Sequence, residues 1–101
     1  MFEIIFRSQA IRRIRKMKRY DAVAILDGIE RHLREEPEKI TRSSIKRLRG
    51  EQDTTFRLRV KEYRVFYDVV ENRVEIVQIL HKSETQYYYH KENINENSDD
   101  L

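Results

Sequence analysis

Cysteine is absent from the sequence, and its absence removes disulfides, thiolate zinc sites and a cysteine nucleophile in one step. A reducing cytoplasm fits that composition, so a cytoplasmic chain is the expectation. Long apolar runs are missing as well. The opening Met1-Phe2-Glu3-Ile4-Ile5-Phe6-Arg7 is too short and too interrupted by charge for a secretory h-region or a membrane span, which predicts a soluble protein without membrane contact. Proline occurs once, at Pro37. At 101 residues the chain has room for one core and no second, so one site on one sheet or cleft is expected.

What the chain has in quantity is charge. Charged residues make up 39% and apolar ones another 39%, a ratio that permits a core when the apolar residues recur with a period. The charge is unevenly placed. From His90 to Leu101 one lysine stands against Glu92, Glu96, Asp99 and Asp100, so the net +3 divides into −3 there and +6 for Met1 to Tyr89. A basic domain of this kind attracts polyanions at long range, nucleic acid first and acidic proteins second. The alternative is ordinary solvating charge.

The apolar residues are periodic. Phe2 to Arg7 is β-rich, and Ser8 then offers an N-cap oxygen to a helix with Ile11, Ile14 and Met17 on one stripe. Between Arg7 and Tyr20 there are seven basic residues and no acidic one, which makes Arg12 and Arg13 part of a basic helix surface. Asp21 can cap a second helix, on which Ile25, Leu26, Ile29 and Leu33 recur at helical spacing and beyond which Pro37 closes the segment. Gly28 inside this helix weakens it by about 1 kcal/mol relative to alanine, which predicts close packing against a neighbour. After a polar stretch come three β-type segments, Thr55 to Val60, Tyr63 to Val70 and Val74 to His81. The links Lys61-Glu62 and Glu71-Asn72-Arg73 are short enough to make them antiparallel neighbours. A helical hairpin on one face of such a sheet gives a two-layer α+β domain whose other face is open to water or a ligand. The domain is expected over residues 1–92, with Asn93 to Leu101 a disordered acidic tail.

Within the β-type segments, Phe56-Arg57-Leu58-Arg59-Val60 alternates strictly, with Phe56, Leu58 and Val60 facing inward and both arginines outward. If Lys61-Glu62 is a two-residue loop, Val60 lies opposite Tyr63, Arg59 opposite Arg64, Leu58 opposite Val65, Arg57 opposite Phe66 and Phe56 opposite Tyr67. Every inward residue then faces an inward residue. The register also sets Arg59 beside Arg64 with Arg57 diagonal to them, an unfavourable grouping of like charges unless an anion is shared. Three guanidiniums on one patch point to a phosphate site; the plainer reading is that they solvate the sheet or pair with Glu62, Asp68 or Glu75. Phe66 is the outward aromatic, and arginine beside an aromatic ring is what single-stranded RNA recognition uses.

Beyond the last strand, His81-Lys82-Ser83-Glu84-Thr85-Gln86-Tyr87-Tyr88-Tyr89-His90 collects titratable and aromatic groups. A histidine at a strand end is more often a surface residue than a catalyst, and tyrosines more often pack. His81 shares strand parity with Val77 and Ile79, so bringing it over the arginines requires a bend or bulge near the strand end.

Leu48-x-Gly50, Phe56-Arg-Leu-Arg-Val60, Tyr63-Arg64-Val65-Phe66-Tyr67, and His81 with Tyr87 together resemble the RelE/ParE superfamily of toxins from bacterial type II toxin-antitoxin modules, over Phe2 to about Tyr89. The resemblance implies the RelE-like fold, with an N-terminal strand and helical hairpin packed on an antiparallel sheet. It implies a ribosome-dependent endoribonuclease that cuts messenger RNA with the RNA 2′-hydroxyl as nucleophile, needs neither metal nor cofactor, and is held in a hetero-oligomer by a cognate antitoxin. Catalytic roles fall by position on Arg57, Arg59, Arg64, His81 and Tyr87, and Phe66, Lys61, Lys82, Arg12 and Arg13 are candidate substrate contacts. Relatives often carry lysines at the first two positions. Arginine keeps its proton near neutral pH, so Arg57 and Arg59 must act electrostatically. His81, Tyr87, Glu62 and Glu84 are left for proton transfer, with Tyr88 or Tyr89 as alternatives to Tyr87. Histidine is chemically the best suited of these, because its unperturbed pKa of about 6.5 lies near neutrality. A second departure is Lys61-Glu62, where relatives commonly have a glycine-containing turn. The same scaffold also hosts ParE-like inhibitors that bind DNA gyrase without cutting RNA, and a decayed toxin kept as a binding module is a third reading.

Overall fold

Leu58, Val65, Tyr67, Ile76 and Ile79 come from three consecutive strands and are wholly buried on one side of a sheet. Ala10, Ile25, Ile29 and Leu33 from two helices complete the same core. The computed structural model describes residues 1–49 and 54–86. In chain order they form β1 (Glu3–Phe6), α1 (Ser8–Lys16), α2 (Arg19–Leu33), β2 (Ile45–Arg47), β3 (Phe56–Val60), β4 (Tyr63–Val70), β5 (Arg73–His81) and a short 3-10 turn (Lys82–Glu84). The sheet order is β1-β5-β4-β3-β2. β1 lies parallel to β5 and every other pair is antiparallel, so the expected α+β architecture holds on a mixed sheet. No helix among the described residues is long and apolar enough to cross a membrane.

The β3–β4 register is the one that alternation predicts: Phe56 opposite Tyr67, Arg57 opposite Phe66, Leu58 opposite Val65, Arg59 opposite Arg64 and Val60 opposite Tyr63. Lys61 opens the connecting turn at φ 54°, and Glu71 opens the next one at φ 57°. Both are left-handed positions that glycine takes without steric cost and other L-residues take at about 1–2 kcal/mol. The β4–β5 link is two residues rather than three, because Val70 already pairs with Arg73.

The helices differ from expectation in their ends and their inward stripes. Arg7 and Lys18, not Ser8 and Asp21, are the N-caps, and neither helix has a side-chain cap. Asp21 sits in the first turn of α2, where its charge complements the helix dipole. On α1 the inward residues are Ala10 and Ile14, followed by Met17 at the C-cap, leaving Ile11 exposed. On α2 they are Ile25, Gly28, Ile29 and Leu33, and Leu26, one residue or 100° off that stripe, is exposed. Gly28 is closely packed: a Cβ there would lie 2.9 Å from Cγ2 of Val60 on β3. Past α2, the Tyr67 hydroxyl donates to the Pro37 carbonyl at 2.6 Å in the buried interior.

Two features of the sheet escape the alternation argument. β2 lies in the stretch read as polar. It starts from a turn in which Thr41 Oγ1 accepts the amides of Ser44 and Ile45 at 2.9 and 3.1 Å, and only Ile45 of its three residues is buried. The second feature is a bulge in β5. Phe66 pairs with Gln78 but Tyr67 with Ile76, so Val77 is an extra residue and strand parity reverses across it. The reversal lets Val74 and Ile76 on one side of the bulge and Ile79 on the other all enter the core.

Candidate nucleic-acid interface

The face of the sheet away from the helices carries Arg57 and Arg59 on β3, and Arg64 and Phe66 on β4, in two adjacent cross-strand pairs. Alternation puts them there because Phe56, Leu58, Val60, Val65 and Tyr67 are all claimed by the core. This face is less open than expected. Arg59 is exposed, but Arg57 and Arg64 are only 5% and 3% exposed and Phe66 is 0% exposed. β4 is the middle strand of five, so Arg64 is flanked on this face by Arg59 and Leu80, and Phe66 by Arg57 and Gln78. As it stands, Phe66 offers no free ring face to a base. Arg64 is fixed at the hairpin end of the patch, where its Nη1 donates to the carbonyls of Lys61 and Tyr63, both at 3.0 Å. A guanidinium held by two carbonyls is already oriented before any ligand arrives.

His81 lies elsewhere. It stands opposite Tyr63, on the helix side of the sheet, with the two rings edge to face at 5.3 Å. The bulge at Val77 sets that orientation, and no further register shift intervenes before the strand ends. Its Nδ1 accepts the Ser83 amide at 3.1 Å and lies 2.9 Å from Ser83 Oγ, so the imidazole caps the 3-10 turn. A neutral imidazole whose Nδ1 accepts a hydrogen bond carries its proton on Nε2.

Glu84 closes the other half of this capping box by accepting the His81 amide at 2.8 Å, and the same oxygen accepts Arg13 Nη2 at 2.5 Å. Partial burial pushes the Glu84 carboxyl up, but the Arg13 guanidinium and the His81 amide outweigh it and hold the group below the ordinary range. Arg13 is thereby tied to the core domain, while Arg12 remains exposed on α1. Because the helices cover the opposite face of the sheet, Arg12 and Arg13 do not converge with the arginine patch.

The hairpin turn is stitched on both sides. Lys61 Nζ lies 4.9 Å from the Tyr20 ring centre and 3.2 Å from its hydroxyl. Lys82 pairs with Glu62 at 3.0 Å, and its hydrogen bond holds the Glu62 carboxyl below the ordinary range. Burial, and then the Asp21 charge, push the Tyr63 phenol up, so Tyr63 is no candidate base. Tyr87, its alternatives Tyr88 and Tyr89, Gly50, and the domain boundary and tail after residue 92 lie outside the described residues. One residue of the patch was not anticipated from sequence. Lys46 on β2 lies opposite Arg57 and so shares its face.

Two helices on one side of a five-stranded sheet, with basic residues gathered on the other, define the RelE-like class of fold. The chain belongs to the ParE toxin family of type II toxin-antitoxin systems (parDE), whose model matches residues 4–86. It is therefore the toxin of such a system. Among solved structures it is similar to the toxin-antitoxin complex RelBE2 from Mycobacterium tuberculosis, at 24% identity and TM-score 0.64 over 79% of this chain and 96% of that one. It is also similar to the archaeal RelE–RelB complex from Pyrococcus horikoshii OT3, at 19% identity and TM-score 0.66 over 80% and 94%. The intact RelBE complex from E. coli aligns at 20% identity and TM-score 0.52 over 78% and 94%. No curated protein sequence matches the chain.

Proposed function

We propose that this toxin inhibits translation by cutting messenger RNA on the ribosome, with the arginine-bearing face of the sheet as its phosphate site. The observation that carries the reading is the direct opposition of Arg59 and Arg64, with Arg57 beside them and Arg64 already oriented by two carbonyls. Guanidinium forks gathered on one face match the geometry of a phosphate and hold it through charge-assisted hydrogen bonds.

In the reaction the 2′-hydroxyl attacks the adjacent phosphorus and the 5′-oxygen leaves, giving a 2′,3′-cyclic phosphate. Negative charge builds on the non-bridging oxygens, where preorganised guanidiniums stabilise it. No metal enters this scheme. The arginines keep their protons, so proton transfer falls to another group. His81 is committed through Nδ1 to its cap and faces the helices, which leaves Tyr87 as the first choice that the family resemblance provides. The exposed cations of α1, Arg12 among them, assist association with ribosomal RNA.

The solved relatives are toxin-antitoxin complexes, which supports an antitoxin partner and a hetero-oligomer for this chain too. In this reading a C-terminal segment of the antitoxin covers the basic face until it is degraded.

The family model is itself an observation in favour of a second reading, a ParE-like toxin that binds DNA gyrase and leaves RNA intact. A translation reaction with mapped mRNA 3′ ends, run beside a gyrase supercoiling assay, separates the two. New mRNA ends with normal supercoiling support the nuclease. Blocked supercoiling with intact mRNA supports the gyrase inhibitor.

A further inference from the structure

Among the described residues the arginine face offers no open aromatic ring, because Phe66, the outward aromatic of β4, is 0% exposed. Tyr20 is the one exposed aromatic side chain among those residues, at 72%. It stands in the first turn of α2, against the end of the β3–β4 hairpin. There the Tyr63 hydroxyl reaches Asp21 at 3.4 Å, and further along the helix Gly28 packs on Val60. An exposed tyrosine by itself is ordinary surface. The turn residue laid against this one is not.

Lys61 opens the turn in the left-handed region, at φ 54°. Its ammonium lies 3.2 Å from the Tyr20 hydroxyl and 4.9 Å from the ring centre, so it stands at the hydroxyl end and leaves the ring open to solvent. The acids next to the pair in sequence have other partners, Glu62 with Lys82 at 3.0 Å and Asp21 with the Tyr63 hydroxyl. Among the described residues no acid pairs with Lys61, so its charge is oriented by a neutral phenol without being neutralised. Lys18 and Arg19, both exposed, extend the positive edge on the helix side. On the sheet side the edge runs into the arginines. Arg59 is exposed two residues before Lys61, and the Lys61 carbonyl accepts Arg64 Nη1 at 3.0 Å.

We propose that Tyr20 and Lys61 form a nucleotide site at the hairpin end. The ring stacks on one base of a single RNA strand, the ammonium takes a phosphate beside that base, and Arg59 holds the strand where it passes onto the sheet face. The site rests on the nuclease reading for which bond is cut, but not for binding. The combination suits a single strand rather than a duplex, because a side chain reaches the face of a base only where that base is unstacked. It is also tolerant of sequence, since every base has a π-face. A lysine on a flexible stem beside the ring can follow the backbone of whichever base is held.

The test combines the full chain with an uncleavable 2′-O-methyl RNA oligonucleotide carrying 2-aminopurine at successive positions. Stacking on an aromatic ring quenches 2-aminopurine, so its fluorescence at saturating protein reports the ring contact. Anisotropy across a salt series reports affinity and charge. Wild type is expected to quench a position or two more than the rest. Tyr20→Ala is expected to remove that quench and to weaken binding about five- to a hundredfold, the range for losing one stacked base, without changing the slope of log K against log salt. Tyr20→Phe keeps the quench. Lys61→Gln keeps it too, and makes the slope shallower by about 0.7, the value for one phosphate contact on a single strand. Val23→Ser, at an exposed apolar residue further along α2, leaves every readout unchanged.

A Tyr20→Ala protein with wild-type affinity and quench overturns the proposal and leaves Tyr20 with Val23 as an apolar surface for a protein partner. A wild-type slope in Lys61→Gln overturns the phosphate contact. Intact mRNA in the translation reaction, with quench and slopes as described, retires the nuclease reading and leaves the site standing. A wild-type chain that cuts mRNA on the ribosome but shows no localised quench overturns the site and leaves the nuclease reading standing.

Discussion

His81 faces Tyr63 across β4 and β5, ring edge against ring face at 5.3 Å, and so stands on the helix side of the sheet rather than above the arginines. Its Nδ1 is occupied by the Ser83 amide. An asparagine at this position keeps a capping acceptor but cannot titrate. His81→Asn is therefore expected to fold normally and to cut within a few-fold of wild type at every pH, whereas Tyr87→Phe cuts far more slowly. Single-turnover pH profiles on ribosome-bound mRNA check this. Loss of an ionisation between about pH 5 and 8 in His81→Asn would return the imidazole to proton transfer.

The β3–β4 register was legible residue by residue, because the strict alternation of Phe56 to Val60 and the two-residue turn leave only one pairing in which apolar residues meet. The close approach at Gly28 was legible for a similar reason, since a glycine inside a helix has a cost that packing must offset. The bulge was not. Ile76, Val77 and Ile79 are apolar in either parity, and only the pairing with β4 reveals which residue is extra. β2 escaped because one buried isoleucine in three residues carries no period, and with it went Lys46. The burial of Arg57, Arg64 and Phe66 depends on what flanks a central strand, which alternation along a single strand does not encode.

Gly28→Ala sets a methyl group 2.9 Å from Cγ2 of Val60, a β-branched side chain with little rotamer freedom. Overpacking costs about 1–3 kcal/mol, against about 1 kcal/mol gained in helix propensity. The expected result is a lower urea midpoint for Gly28→Ala, and a smaller loss for the same change in a Val60→Ala background. A single variant as stable as wild type would show that the interface yields freely.

Tyr67 donates to the Pro37 carbonyl in the buried core, and Tyr67→Phe leaves that acceptor unmatched at a cost of about 1–3 kcal/mol. Burial also pushes the phenol above its ordinary 10.0. The unfolded chain therefore releases this proton first, and stability falls as pH rises above that value. Melting temperatures followed into alkaline solution should drop more steeply in wild type than in Tyr67→Phe. Parallel curves contradict the assignment.

The opposite sign applies to Glu84, whose folded carboxyl is held below its ordinary 4.5. Its contribution is present above that value and is lost as pH falls through the lower, folded one. Glu84→Gln is expected to flatten this acid limb of the melting curve and to lower stability near neutrality, modestly because the pair is partly solvated. An unchanged acid limb would place the dependence on other carboxylates, such as Glu75 with its two arginine partners.

The account rests most heavily on the arginine face as the place where the phosphate reacts. The direct measurement is the single-turnover rate of mRNA cleavage at saturating ribosomes, compared between Arg64→Ala and Arg12→Ala. A group that stabilises the transition state changes the chemical step, whereas a helix charge that assists encounter loses its effect at saturation. The expected result is a rate lowered at least about a hundredfold by Arg64→Ala, in the range of losing one preorganised donor, and unchanged by Arg12→Ala. Equal rates in the two variants would contradict the central claim.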